Sequence, residues 1–176
     1  MYGLGPEALP LSEVGNWQES LHGEVFASEL AGLGYPGFAY MRTNAAWNPS
    51  EFLLRALAQD HLEARVVEAL PWVAGNFELN WNWLLPRLKL LDLQNRFGFL
   101  LSLCRRLAES KRDAEKAHTF AALEERLQAS KLQKLDSFCQ QGMTQAERKW
   151  LQSNSTPDAK NWGLLSDLEV SHVVHF

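Results

Sequence analysis

The stretch DLQNRFGFLLSLCRRLAES, residues 92–110, decides the fold. Its apolar positions cover more than one face of a helix; they are Leu93, Phe97, Leu100, Leu101, Cys104 and Leu107. A helix that is apolar on several sides usually lies at the centre of a bundle. This stretch therefore predicts a central helix, against which the rest of the chain is expected to pack.

Two helix pairs are predicted in this region, one over residues 49–70 and one over residues 81–110. Asn48 and Asn80 stand where N-caps are expected, and Pro49 suits the first helical position. The two pairs resemble units of a HEAT-type repeat, in which one face of each pair stacks on its neighbour. Two units are too few for a solenoid, so a compact bundle with at most two HEAT-like helix pairs is expected.

Prolines and capping residues predict where other helices bend, begin and end. Pro71 is expected to kink or end its helix, and Pro86 to kink the next one, because proline removes a backbone donor. Residues 113–139 carry one apolar stripe and predict a further long helix. Thr144 and Glu147 have the spacing of a capping box, which predicts a short helix after them.

The two ends of the chain are less regular than its middle. Residues 12–33 contain a helix candidate, residues 38–41 suit a short strand or an extended arm, and the tail suits one helical turn or a short strand. The predicted organisation is an irregular N-terminal helical arm over 1–48, a helical bundle over 49–152, and a C-terminal loop and tail over 153–176 that packs on the bundle. The fold class is mainly α, a single irregular helical bundle.

Composition is that of an ordinary globular protein, since 46% of the 176 residues are hydrophobic and 22% are charged. No stretch reaches the roughly 18 uncharged apolar residues of a membrane helix, and the first residues lack the pattern of a secretory signal. Cys104 and Cys139 fall in predicted helices without a CxxC partner, so both are expected to be buried free thiols. That cysteine usage suits a reducing cytoplasm, and no membrane partner is expected.

The net charge is −4, but the charge is unevenly distributed. Residues 1–83 contain three basic and ten acidic residues, whereas residues 84–116 contain eight basic and four acidic ones. An acidic part beside a basic helical stretch is typical of a surface for a charged partner. The alternative is that these residues lie on ordinary solvent-exposed helix faces, some acidic and others basic, which bind no partner.

No sequence motif predicts catalysis or a cofactor. The chain has no GxSxG, no Walker-type loop and no GxGxxG, and the glycines of residues 32–37 follow a helix and flank a proline. His172 and His175 are three residues apart, but no cysteine lies near them, so a metal site is not expected. The sequence predicts a protein that is not an enzyme, and an unrecognised nuclease or hydrolase is kept as an alternative.

Aromatic and basic residues follow one another at the start of the second helix pair. Trp81 and Trp83 are two apart, so on a helix they point roughly 200° apart and cannot both face one core. Arg87, Lys89 and Arg96 come next. Tryptophan beside arginine or lysine is typical of contact surfaces, which makes these five residues the predicted partner-binding site. The alternative is that the cluster belongs to the core around a kinked helix.

Two segments, VVEALPWV at 66–73 and NWLLPRLKLLDLQNRFGFLLSLCRRLAE at 82–109, resemble a segment of small helical bacterial proteins from toxin–antitoxin and antiviral defence operons. The resemblance covers only part of the chain and includes no diagnostic catalytic residue. It implies an antitoxin-like or regulatory component that binds a partner protein. In that case the stretch around Asn95 and Arg96 is structural, with these two residues as polar anchors.

The predicted function is therefore a non-enzymatic interaction protein of a bacterial operon, antitoxin-like, which occludes a surface of another protein encoded nearby. The main alternative is a regulator that binds nucleic acid through the basic residues of 84–116. The two predictions differ in one measurable respect. Binding to phosphates weakens steeply as salt rises, whereas an apolar protein contact depends little on salt.

Overall fold

The computed structural model describes residues 5–13, 15–41, 43 and 47–176, over which the chain folds as a mainly α helical bundle. The α-helices of the described chain are α1 (Gly23–Gly32), α2 (Pro49–Leu57), α3 (Ala64–Asn76), α4 (Trp81–Leu90), α5 (Gln94–Ser110), α6 (Ala114–Gln128), α7 (Gln145–Asn154) and α8 (Pro157–Asn161). Two short strands, β1 (Asp136–Ser137) and β2 (Leu164–Leu165), pair in parallel. Short 3-10 helices lie at Pro6–Ala8, Pro36–Phe38 and Val170–His172.

Helix α5 is the centre of the bundle, as its composition predicts. Every residue from 93 to 104 is buried. The helix contacts α3, α4, α6, α8 and β2, so apolar side chains on all of its sides find partners. The prediction of a central helix from residues 92–110 is confirmed, and the helix supplies the floor on which the neighbouring elements pack.

The two predicted helix pairs stack on each other. Helix α2 packs against α4, and α3 packs against α5, while the helices of each pair also touch. This is the arrangement expected of two consecutive helix pairs that share one apolar layer. Asn80 caps α4 through Trp83 N at 3.1 Å, as its position predicts. Pro71, by contrast, does not end its helix, because α3 continues to Asn76 with Pro71 buried inside it.

The N-terminal residues join the same core. Phe26 and Leu30 of α1 are fully buried. Residues 12–33 contain a helix, as predicted, but it covers only their second half, since α1 begins at Gly23. Before Gly23, the Leu21 N–H donates to the Gln59 side chain, and Gln59 donates in turn to a backbone carbonyl nearby. Side chains of α2 and its C-terminal end thus hold this segment without helical hydrogen bonds.

The strand or extended arm expected over 38–41 is also wrong, because Phe38 ends a 3-10 helix and a turn follows. In the tail, by contrast, both of the expected forms occur, a strand at Leu164–Leu165 and a helical turn at Val170–His172.

Both cysteines are buried free thiols, as predicted, but Cys139 follows β1 and has a positive φ of 55° instead of lying in a helix. The Cys139 carbonyl accepts from Leu62 N at 2.9 Å, a contact with a distant segment that the local sequence pattern does not reveal.

The helix predicted over 113–139 ends at Gln128, so its last part was predicted wrongly. Polar side chains of α5 compete for the backbone beyond that point. Asn95 accepts from Leu132 N at 2.8 Å and donates to Leu132 O at 2.9 Å, and Gln94 donates to Ser130 O. Because these bonds fix the chain in a non-helical path, β1 reaches β2. Leu135, a member of the predicted stripe, is 56% exposed.

Replacing Asn48 with Ala is expected to destabilise the protein by about 1–2 kcal/mol. The Asn48 side chain accepts from Ser50 N at 2.9 Å and caps α2. Its amide also donates to the carbonyl oxygens of Glu7 and Leu9, so it ties the start of the chain to the bundle. Urea unfolding measures the loss. Asn82→Ala, on the exposed side of α4, is the matched control and should change stability by less than about 0.5 kcal/mol; equal losses would contradict the role of Asn48.

Candidate partner-binding site

Helix α4 has one buried and one solvent-facing side. Leu84 and Leu88 are fully buried against the bundle. The opposite side, here called the outer face of α4, consists of Trp83, Pro86, Arg87 and Leu90. Three- and four-residue spacing brings these residues onto one stripe of the helix. Leu90 is 79% exposed, so the stripe ends in an apolar side chain without cover.

Trp83 and Arg87 form a fixed stack at the centre of the outer face. The Arg87 guanidinium lies 4.4 Å from the centroid of the Trp83 ring. It also donates to the carbonyl oxygens of Trp83 and Glu13, each at 3.1 Å. The Trp83 indole in turn donates through Nε1 to Ser12 O at 3.2 Å. An arginine held in this way loses little conformational freedom when it binds a partner.

This stack continues inward as a row of aromatic rings and cations. The Trp83 ring meets Trp17 edge-on with 5.5 Å between centroids. The Arg55 guanidinium lies between Trp17, at 5.2 Å, and Trp47, at 4.7 Å. Arg55 also pairs with Glu51 at 2.9 Å. The row links α4 to α2 and to the N-terminal segment, so the outer face stands on a rigid support.

Trp81 and Lys89 lie beside the outer face but not on it. The Trp81 ring is tilted against Phe97 of α5 with 6.0 Å between centroids, whereas Trp83 contacts Trp17. The two tryptophans therefore face different neighbours, as their spacing predicts. Both are half-buried, so neither is wholly interior. Lys89 is exposed in the last turn of α4.

Arg96 does not belong to the candidate site, and its assignment to a partner surface is corrected here. Its side chain is 3% exposed. It donates to both carboxylate oxygens of Asp136, at 3.1 and 3.2 Å, and to the carbonyl oxygens of Leu57 and Gln59 at 2.8 Å. Four of its five N–H groups are used by these internal acceptors, and the buried side chain is not available to a partner. The residue is an internal anchor.

Much of the basic stretch 84–116 is paired within the protein. Arg105 forms ion pairs with Glu109 and Glu124, and Arg106 pairs with Asp158. Arg87 and Lys89, by contrast, form no salt bridge with any residue that the structure describes. The positive charge of the outer face is therefore not paired with a carboxylate of the described chain, whereas three of the eight basic residues of 84–116, Arg96, Arg105 and Arg106, are.

Sequence reasoning missed Leu90 and Pro86, although a signal for both was present. They follow Trp83 by seven and three residues, which is the spacing of one helix face. Basic residues can be counted in the sequence, whereas the exposure of a leucine depends on which other parts of the chain pack over its helix. Leu90 is the last residue of α4, and the chain turns at Asp92, whose φ is +56°, before α5 begins.

Two histidines, His61 and His172, line a separate cleft, and the described histidines do not assemble a metal site. A cleft of about 460 Å³ contains His61, His172 and Asp167 together with Glu63. The Nδ1 atom of His172 accepts from Glu169 N at 3.1 Å, so the ring is oriented by its own turn. Within the described chain, no three His, Cys, Asp or Glu side chains are placed to hold one metal ion.

Searches for related proteins give no match. No family profile matches the chain, and neither a curated protein nor a solved structure is significantly similar to it. Among the described residues, no helix combines the length and the apolar composition that crossing a bilayer requires. The geometry of the outer face of α4, including Trp83, Arg87 and Leu90, is thus the main guide to what the chain does.

Proposed function

We propose that the chain is a non-catalytic, protein-binding regulatory component of a bacterial operon, antitoxin-like in its action. It covers a functional surface of a partner protein with the outer face of α4. The observation that carries this proposal is Leu90, 79% exposed, next to an Arg87 that is stacked on Trp83 and has no ion-pair partner in the described chain. An exposed apolar side chain beside a rigid aromatic–arginine stack is the composition of a binding hot spot.

The charge of the outer face indicates the kind of partner. Helix α4 contains Arg87 and Lys89 and no acidic residue. A partner surface that fits it has an apolar pocket for Leu90 and a carboxylate that reaches the Arg87 guanidinium. The stack holds that guanidinium in place, so a bidentate bond to a carboxylate costs little side-chain entropy.

The nucleic-acid alternative has less support. A surface for phosphates needs several free cations on one face. Arg96 is enclosed, and Arg105 and Arg106 are already paired with carboxylates. Arg87, Lys89, Lys111, Arg112 and Lys116 form no salt bridge in the described chain. The first two lie at the end of α4 and the other three beyond the far end of α5, so they do not form one cationic face.

Charge reversal on the outer face tests the proposal. The chain is used to retain its partner from a lysate of the native host, and the retained protein is identified, purified and titrated by calorimetry. Arg87→Glu combined with Leu90→Asp is expected to weaken binding at least about 30-fold, since it removes an apolar anchor and reverses a fixed charge. Binding of the unchanged chain should depend little on salt.

A matched pair of changes on another surface provides the control. Lys134 and Leu135 are adjacent and exposed, so Lys134→Glu with Leu135→Asp makes the same chemical changes away from α4. This control should bind the partner as the unchanged chain does, and both variants should melt cooperatively. The proposal fails if the two variants bind equally well, or if the retained molecule is a nucleic acid whose affinity falls steeply with salt.

A further inference from the structure

A groove runs along α6 on the side of α4 that bears Trp81. Two adjoining cavities of about 380 and 660 Å³ share Glu78, Leu79 and Trp81 in their walls. Along α6 the groove extends from Glu115 to Arg126. Eleven residues of helix rise make this roughly 16 Å, the length of about five extended residues.

The floor of the groove is aromatic and partly open to solvent. Phe77 lines it from the connection between α3 and α4, Trp81 from the start of α4, and Phe120 from α6. Trp81 and Phe77 are half-buried, so their rings keep a face toward the groove while they pack against the core. Half-buried aromatic rings in a groove bind apolar side chains favourably.

The rim of the groove is acidic. Glu7, Glu78 and Glu115 are exposed, and none of them forms a salt bridge with any residue of the described chain. Lys116, next to Glu115 in sequence, also lines the groove, and its ammonium donates to Gly75 O at 2.9 Å. Among the described residues that line the groove, the two cations Lys116 and Arg126 oppose four carboxylates, those of Glu7, Glu78, Asp113 and Glu115. The groove therefore has an excess of uncompensated negative charge.

We propose that this groove binds an extended segment of a protein partner, in which an aliphatic or aromatic side chain is flanked by lysine or arginine. The apolar side chain lies on Trp81, and the flanking cations pair with Glu78 and Glu115. An acidic rim repels phosphate, so a nucleic acid is not the occupant. This surface goes beyond the proposed function because it lies on a different side of α4 from the outer face and selects the opposite charge.

Opposite charges on two neighbouring surfaces have a consequence for orientation. A partner that contacts both can dock in only one direction, because the reverse direction places like charges together. The cationic outer face around Arg87 and the acidic groove around Trp81 would then act as two ends of one recognition surface.

Labelled peptides test the groove directly. Two end-capped, fluorescein-labelled octapeptides carry one central leucine flanked either by two arginines or by two glutamates. Fluorescence anisotropy with the full chain is expected to give at least about tenfold tighter binding of the arginine peptide. Glu78→Lys combined with Glu115→Lys should lower the affinity for that peptide by at least about tenfold.

A control with the same change in net charge separates local recognition from general attraction. Glu24 and Glu125 are exposed and line neither cavity, so Glu24→Lys with Glu125→Lys should leave the affinity nearly unchanged. The groove proposal is overturned if both peptides bind equally, or if this control weakens binding as much as the groove variant does.

The outer-face variant distinguishes this proposal from the proposed function. Arg87→Glu with Leu90→Asp should leave binding of the arginine peptide intact, because the peptide lies on the Trp81 side. Loss of peptide binding in that variant would place the peptide on the outer face and contradict the groove. Sedimentation at the same protein concentration checks self-association; an oligomer that dissociates in the Glu78→Lys, Glu115→Lys variant would make a second copy the occupant and overturn the proposal.

Discussion

Replacing Arg96 with Met is expected to lower the free energy of unfolding by about 3–5 kcal/mol at neutral pH. The guanidinium joins three parts of the chain, because it bonds to Asp136 of β1 and to the carbonyl oxygens of Leu57 and Gln59 at the end of α2. Methionine fills similar volume but leaves the Asp136 carboxylate and both carbonyls without this donor. Buried polar groups that lose their partners carry the full penalty of desolvation.

The loss should depend on pH in a defined direction. Burial raises the pKa of Asp136, but the hydrogen bond and the charge of Arg96 outweigh burial and hold that pKa below 3.8. A depressed pKa contributes stability that is present above the ordinary carboxyl value and is lost as pH falls through the lowered one. The difference between the unchanged chain and Arg96→Met should therefore shrink in acid below about pH 4.

Urea unfolding at pH 7 and at pH 3 measures both effects. Arg106→Met is the control, because Arg106 is also paired with an aspartate, Asp158, but its side chain is 47% exposed. An exposed pair contributes only about 0–1 kcal/mol. Equal losses for the two arginine variants, or a loss for Arg96→Met that does not change with pH, would refute the anchoring role.

The sequence predicted those features that depend on neighbouring residues. The caps at Asn48, Asn80 and Thr144 form as expected, because the bond partners lie within three residues along the chain. The burial of the central helix follows from apolar residues that recur on all of its sides. Such information is contained in a short window of sequence.

Arg96 shows why other features could not be predicted. Its charge suggested a surface role, because the partner Asp136 is forty residues away. The apolar stripe over residues 113–139 also predicted one continuous helix, in which Asp136 would not belong to a strand beside Arg96. That helix ends early because Asn95 takes up the backbone of Leu132, which is a tertiary effect. Long-range hydrogen bonds of this kind override local propensity and leave no mark in spacing.

Only part of the candidate site could be predicted from the sequence, because the rest depends on contacts between distant residues. Trp83 and Arg87 are four residues apart, so their contact on a helix follows from spacing alone. The support beneath them does not, because Trp17, Arg55 and the Ser12 carbonyl come from distant parts of the chain. What makes the stack rigid, and hence suitable for binding, is visible only in the fold.

Replacing Trp162 with Ala is also expected to destabilise the protein by about 3–5 kcal/mol. Trp162 is fully buried, and its Nε1 donates to Ser102 Oγ at 2.9 Å. The Ser102 hydroxyl lies 2.6 Å from Glu124 Oε1, so the indole fixes a contact between α5 and α6. Trp162→Phe keeps most of the ring but loses the N–H, and it should cause a clearly smaller loss of stability.

A change at Gly98 tests the position of the Trp162 indole, because Gly98 lies directly under the ring. A Cβ at position 98 would stand 2.4 Å from ring carbon Cη2 of Trp162. In an ordinary helix Gly→Ala stabilises by about 1 kcal/mol. Here Gly98→Ala should instead destabilise by about 1–3 kcal/mol, because the ring must move and strain its bond to Ser102. In the Trp162→Ala background the clash is absent, and the same change should become neutral or stabilising. Urea unfolding of the unchanged chain, the two single variants and the double variant measures the coupling energy between positions 98 and 162. We expect about 2 kcal/mol or more, whereas additive losses of stability would show that the indole does not rest on Gly98.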